Sequence, residues 1–173
     1  MSARLSAGLL LGVWLVGGLL VTLLPAHPAP GQVVEHNFIP LRTVAIYLAN
    51  LDSPFWVGQM VGNLLLLLPV GLLGPIVLPW MDQRLRVLVA SLAFSTAIEL
   101  AQVWVPDRSA DVDDLLLNVL GAMLGYAILS VLRIGSGRLG ALAERDLSPA
   151  GWLQSQVTDI RHGASAARAF SHV

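Results

Sequence analysis

The stretch STAIELAQVWVPDRSADVDDLLLNVLG, Ser95 to Gly121, runs from one apolar segment through a charged turn into another. It holds five carboxylates, one guanidinium and two amides. Glu99 and Asn118 stand inside the apolar segments, not between them, where the neighbouring residues read as lipid-facing. A chain that keeps such groups there has a use for them or a partner to neutralise them.

The rest of the sequence sets the solvent. Of 173 residues, 55% are hydrophobic and 12% charged, and the mean hydropathy is +0.73. This is too apolar for the surface of a soluble domain of this size and marks an integral membrane protein. All ten basic residues are arginines set singly or in loose pairs, so no tract is offered to a nucleic acid and no nucleic-acid partner is expected. The absence of cysteine removes disulfides, thiolate metal sites and thiol nucleophiles together.

Four segments are long enough to cross a hydrocarbon core of roughly 30 Å. The first is Leu5 to Leu24 behind the single Arg4. A cleaved signal peptide is the rival reading, but its apolar region is normally about 7 to 15 residues and ends on small residues. Here Pro25, Pro28 and Pro30 follow. The second span lies within Phe55 to Trp80, interrupted by Pro69 and Pro75; the third is Leu85 to Val105, ended by Pro106; the fourth is Val112 to Leu132. The fold class is therefore all-α, a polytopic helical membrane protein with a transmembrane domain over residues 5–132.

Between the first two spans, Asn37 to Leu51 carries Ile39, Leu41, Val44, Ile46, Tyr47, Leu48 and Leu51, a pattern for an amphipathic helix at the interface. Residues 133–173 contain no spanning run and are expected to form a cytoplasmic tail, partly disordered. Ser148 and Pro149 followed by Trp152, Leu153, Val157 and Ile160 suggest one short surface helix in it. Arg4, Arg84, Arg86, Arg133 and Arg138 fall on one side of a four-span chain, Arg42 and Arg108 on the other. The positive-inside rule puts both termini in the cytoplasm of a cell whose plasma membrane the chain crosses several times.

With this topology Asn63, Glu99 and Asn118 lie roughly 9 to 12 Å inside the outer ends of the second, third and fourth spans. Gln102 is one turn above Glu99, and Asp114 one turn above Asn118, on the same helix faces. Charged and unpaired, Glu99 would cost at least about 2.5 to 3.5 kcal/mol in a membrane. Arg108 is the basic residue nearest that mouth, and the expectation is that it reaches Glu99, Asp111 or Asp114. The remaining acid would bind a proton, a cation or an amine.

Plainer roles compete. Asp111 can be the N-cap of the fourth span and Asp114 the acid of a capping box. Asn63, Gln102 and Asn118 can hydrogen-bond helices together, and Gly121 with Gly125 form a small-xxx-small packing pair. The DVDD run, Asp111 to Asp114, with Glu99 has the oxygen chemistry for Mg²⁺, but no phosphate-binding group accompanies it. His27, His36, His162 and His172 are dispersed. No metal or cofactor is expected.

At these residues the sequence resembles the VanZ-like family of small bacterial membrane proteins, named for an accessory factor in glycopeptide resistance. NFIPLRT, Asn37 to Thr43, resembles its first-loop block, with Leu41 where an aromatic is commoner. NLLLLLPVGLLGP, Asn63 to Pro75, resembles its second block, with Leu67 where Phe is frequent and Val70 where Leu is frequent. Glu99, Gln102, Arg108, Asp111, Asp114, Asn118, Gly121 and Gly125 fit the third without a gap. The resemblance covers roughly Leu10 to Leu132 and implies an envelope membrane protein, with teicoplanin resistance as the family's label. The expected function is an outward-facing polar pocket binding a membrane lipid or a lipid-linked cell-wall precursor, without required catalysis. A membrane enzyme using Glu99 as base or metal ligand, and a proton-coupled transporter, are the alternatives.

Overall fold

The computed structural model describes residues 3–24 and 36–147, the side chains of 137–147 excepted. His27, His162, His172 and the helix expected after Ser148 lie outside the described residues. The elements are α1 (Ala3–Leu23), α2 (Arg42–Ala49), α3 (Pro54–Val77), a 3-10 turn (Pro79–Met81), α4 (Arg84–Gln102) and α5 (Val112–Leu147). Four of these helices are long and apolar enough to cross a membrane: α1, α3, α4 and the Val112–Ser136 part of α5. Contacts divide the chain into a unit over residues 1–130 and a second over 131–173. In the second, helix continues from α5 to Leu147, beyond the Leu132 expected for the fourth span.

Within the first unit, α1 packs on α3 and α4, and α3 on α4. The core is Leu66, Leu67, Val87, Ile98 and Ala122, flanked by Leu15, Leu19, Val70, Phe94, Met123 and Tyr126. Outside it the exposed surface is largely apolar, Leu9, Val13, Leu20, Val89, Leu100 and Val131 among it, as a lipid-facing wall requires. Trp104 and Trp80 lie exposed just beyond opposite ends of α4, where amphipathic rings favour the membrane–water boundary.

Two small residues bring α5 against α3. A Cβ added at Gly121 would overlap the carbonyl of Leu64, and one at Gly125 the carbonyl of Leu68. The helices there meet backbone to backbone, the geometry that small-xxx-small pairs allow. Pro69 and Pro75 do not break α3. Pro69 removes the amide that would bond the carbonyl of residue 65, and on the next residue Trp14 of α1 donates its indole N–H to the Leu66 carbonyl at 3.0 Å.

The third span is shorter than the sequence suggests. α4 ends at Gln102, and residues 103–105 form a turn closed by Val105 N–H to the Gln102 carbonyl at 3.0 Å. Pro106 pushes the residue before it out of helical geometry, and Asp107 then takes a left-handed φ of 60°. Glu99 therefore sits in the last turn of α4. The helix partner of Asn118 is Ser95, one turn further in, whose Oγ accepts from Asn118 Nδ2 at 3.0 Å. Glu99 and Asn118 are offset by a turn instead of sharing one depth.

Candidate functional site

α5 begins on Asp111. Its Oδ1 accepts from the Asp113 N–H at 2.8 Å, the N-cap arrangement for the first amides of a helix, which lack partners within it. The capping box assigned to Asp114 is not what forms. Glu99 of α4 takes that place, its Oε2 accepting from the Asp111 N–H at 2.7 Å. Capping boxes use Glu or Gln, and Asp114 is a methylene shorter and already holds Tyr47, whose hydroxyl donates to Oδ1 at 3.2 Å.

The segment before α2 folds onto this helix start. Asn37 pairs with Asp111 as an isolated parallel bridge, its N–H to the Ala110 carbonyl at 2.9 Å and its carbonyl accepting from Val112 at 3.0 Å. Asn37 Nδ2 donates to Asp111 Oδ1 at 2.9 Å and to Thr43 Oγ1 at 3.0 Å, while Thr43 Oγ1 donates to Asp111 Oδ2 at 2.5 Å. The Ala110 N–H donates to His36 Nδ1 at 3.0 Å. Every oxygen of the Asp111 side chain is thus committed within the protein.

Asp113 does the same for α2. The left-handed Leu41 that starts α2 offers no side-chain cap, and Asp113 supplies one from across the chain. It accepts from Leu41 N–H at 2.5 Å, Thr43 N–H at 2.7 Å and Val44 N–H at 3.1 Å, and is 0% exposed. Tyr47, on the same face of α2 as Thr43, has its pKa raised, first by burial and then by the Asp114 carboxylate beside it. It therefore remains a hydrogen-bond donor across the working pH range. The face of α2 turned to the protein is polar, and Leu41, Ile46 and Leu48 are exposed, the reverse of a soluble amphipathic helix.

Arg108 corrects a second expectation. It donates through Nε to the Leu24 carbonyl at 3.1 Å and through a terminal nitrogen to the Val21 carbonyl at 2.7 Å. The last carbonyls of α1 have no partners within the helix and carry the negative end of its dipole, and the guanidinium caps them instead of pairing with Glu99, Asp111 or Asp114. Gln102 joins it, Nε2 donating to the Thr22 carbonyl at 3.2 Å.

What remains is a set of polar atoms with no partner among the described residues. Gln102 Oε1, Asn118 Oδ1 and Asn63 Nδ2 are buried without a hydrogen bond, although Gln102 is 7% and Asn118 1% exposed. Each such group costs about 1–3 kcal/mol if nothing meets it. Glu99 Oε1 and Asp114 Oδ2 receive no hydrogen bond from the described residues. Asn63 directly precedes Leu64, whose carbonyl faces Gly121, one turn from Asn118 on α5. The structure joins Glu99 to Asp111 and Asp114 to Tyr47, while Gln102 is held to the Thr22 carbonyl of α1 and Asn118 to Ser95, about two turns apart along α4. It adds Asn37, Thr43, Tyr47, Ser95 and Asp113, which sequence reasoning did not single out; NFIPLRT held the first two, and DVDD held Asp113.

Four apolar spanning helices, with a layer of acids and amides gathered where α2, α4 and α5 meet, define a polytopic membrane protein carrying a buried polar site at one end. The chain belongs to the VanZ/LLP1 family, whose profile matches residues 8–133. No curated protein and no solved structure matches it.

Proposed function

We propose that this protein holds the polar head of an envelope lipid, or of a lipid-linked cell-wall intermediate, in an outward-facing pocket around Glu99, Gln102, Asp114 and Asn118. The observation that carries this reading is the unmet hydrogen-bonding capacity, among the described residues, of Gln102, Asn118 and Asn63, beside two carboxylates that each keep an oxygen no described residue meets. Buried polar groups are almost always paired, so a layer left open inside an otherwise closely bonded end favours a polar ligand. Its place among lipid-exposed helices favours one that arrives through the bilayer. An effect on teicoplanin susceptibility follows if the bound molecule is a wall intermediate.

The test is native mass spectrometry of the protein purified in mild detergent. Wild type is expected to carry a lipid. Glu99→Gln keeps an oxygen for the Asp111 N–H, so it is expected to fold while retaining about tenfold less lipid, ~1.4 kcal/mol of binding. Wild type free of lipid, or a variant that retains it fully, would sink the reading.

The outward orientation belongs to the same proposal and rests on the sequence positions of Arg4, Arg84, Arg86, Arg133 and Arg138 on one side of the spans against Arg42 and Arg108 on the other. A periplasm-active reporter fused at Ser53 and a cytoplasm-active one at Gly137 are both expected to be active. Silence from both would invert the topology.

A further inference from the structure

Separately from the pocket around Glu99, we infer that Arg108 and the C-terminal half of α1 seat an anionic phospholipid, its phosphate on the guanidinium and one acyl chain along the helix. Two observations from different parts of the chain meet at one place. Val16, Leu19, Leu20, Leu23 and Leu24 line a groove of about 240 Å³ on α1. Arg108, from the turn after α4, ends on the same stretch of helix, bonded to the carbonyls of Val21 and Leu24. Leu24 is common to both, since it walls the groove and its carbonyl holds the guanidinium.

The guanidinium keeps its charge and much of its donor capacity. Arginine bears five N–H donors on a planar fork, and the two carbonyls take only Nε and one hydrogen of Nη2. Nη1 and the second hydrogen of Nη2 meet no acceptor among the described residues, and no carboxylate there pairs with Arg108. The helix end that it caps carries about half a negative charge, so a positive excess remains. Asp107, its neighbour in the chain, is exposed, where salt and water screen its charge.

Depth and shape agree with a lipid. Trp104, 87% exposed and four residues before Arg108, marks the membrane–water boundary, the level of lipid phosphates. From Leu24 down to Val16 the helix runs about 12 Å, most of the roughly 15 Å depth of one leaflet. The groove is smaller than the ~300 Å³ at which small-molecule pockets begin and is walled by aliphatic side chains, which suits a single chain better than a head group. Lipid that merely coats an apolar wall has no fixed cation beside it. Phosphate is what a guanidinium fork recognises, through paired, charge-assisted hydrogen bonds. A zwitterionic head group carries the same phosphate with its charge cancelled by the attached ammonium, and gains less from Arg108.

The experiment compares phosphatidylglycerol with phosphatidylcholine of identical acyl chains, retained by the full chain in mild detergent and read by native mass spectrometry. Wild type is expected to keep phosphatidylglycerol at least about fivefold over phosphatidylcholine, the order of what one basic side chain gains near anionic lipid. Arg108→Gln is expected to abolish the preference, and Arg108→Lys, which keeps the charge without the fork, to restore part of it. Because Arg108→Gln also uncaps α1, Leu20→Trp is the second variant. Leu20 is 59% exposed, so the indole fills the groove without entering the core, and the preference should fall toward unity. Arg42→Gln removes the other arginine on that side of the spans and should leave the preference intact. Equal retention of the two lipids by wild type would show a coating of bulk lipid and overturn the inference. So would an unchanged preference in Leu20→Trp, which would mean that the groove is covered by the chain itself. An equal loss in Arg42→Gln, pointing to net charge alone, or displacement of the lipid by millimolar inorganic phosphate, pointing to a soluble anion, would overturn it as well. The two sites fail separately, the pocket on Glu99→Gln and this one on Arg108 and Leu20.

Discussion

Asp113→Ala is expected to destabilise the protein by about 3–5 kcal/mol, more than any other single acid in the cluster. The side chain is fully buried, and its two oxygens serve the N–H groups of Leu41, Thr43 and Val44. Removing it leaves all three unmet and uncaps α2, which has no side-chain cap of its own. Leu41 would also lose the bond that fixes its left-handed backbone, φ 66°. Loss of α2 then frees Tyr47 from Asp114 and Thr43 from Asp111, so the bonded layer between α2 and the start of α5 comes apart as a unit. Asp113→Asn keeps one oxygen but turns an N–H₂ toward backbone donors, and should fall between wild type and Ala. Asp52→Ala, at an exposed turn, is the control and should change little. Thermal melts in detergent decide it: an Asp113→Ala melt indistinguishable from that of Asp52→Ala would remove Asp113 from the account of how α2 is held.

The same residue shows where sequence reasoning reaches its limit. The four spans were legible because hydropathy is a local property, and each apolar run carries its own length. The shared face of Asp111, Asp114 and Asn118 was legible because helical period fixes it. Asp113 lies off that face, and what makes it important is a set of amides about seventy positions earlier in the chain. No spacing rule connects them. Arg108 departs from its expected partner for a related reason. Counting charges suggested that a lone cation at the outer mouth would seek an acid, but the carbonyl end of α1 competes for it and presents two oxygens in reach. Glu99 was set too deep because Val105 is apolar and reads as helix, whereas Pro106 ends α4 a turn earlier. Its partner, the N–H of Asp111, is a backbone group that carries no signature in the sequence at all.

Gly121→Val is expected to cost more than about 3 kcal/mol and to separate α3 from α5, the upper end of what overpacking does, because backbone is what stands in the way. A flexible side chain can rotate from an added methyl group. The Leu64 carbonyl that a Cβ at Gly121 would overlap cannot, and the Leu68 carbonyl blocks Gly125 in the same way. Relief requires the two helices to move apart along their shared length. That movement would carry Asn118, one turn outward on α5, away from Ser95 and from the layer that holds Glu99. Gly121→Ala should already lower the melting temperature, against the grain of helix propensity, which favours Ala over Gly by about 0.8–1.0 kcal/mol. Gly62 on α3 provides the contrast. Nothing lies within 4 Å of a Cβ built there, so Gly62→Ala should be neutral or stabilising. The sign of the difference between the two alanine variants is the measurement. Opposite signs place α5 in backbone contact with α3, and the same sign in both would show that the glycine pair does not hold the helices together.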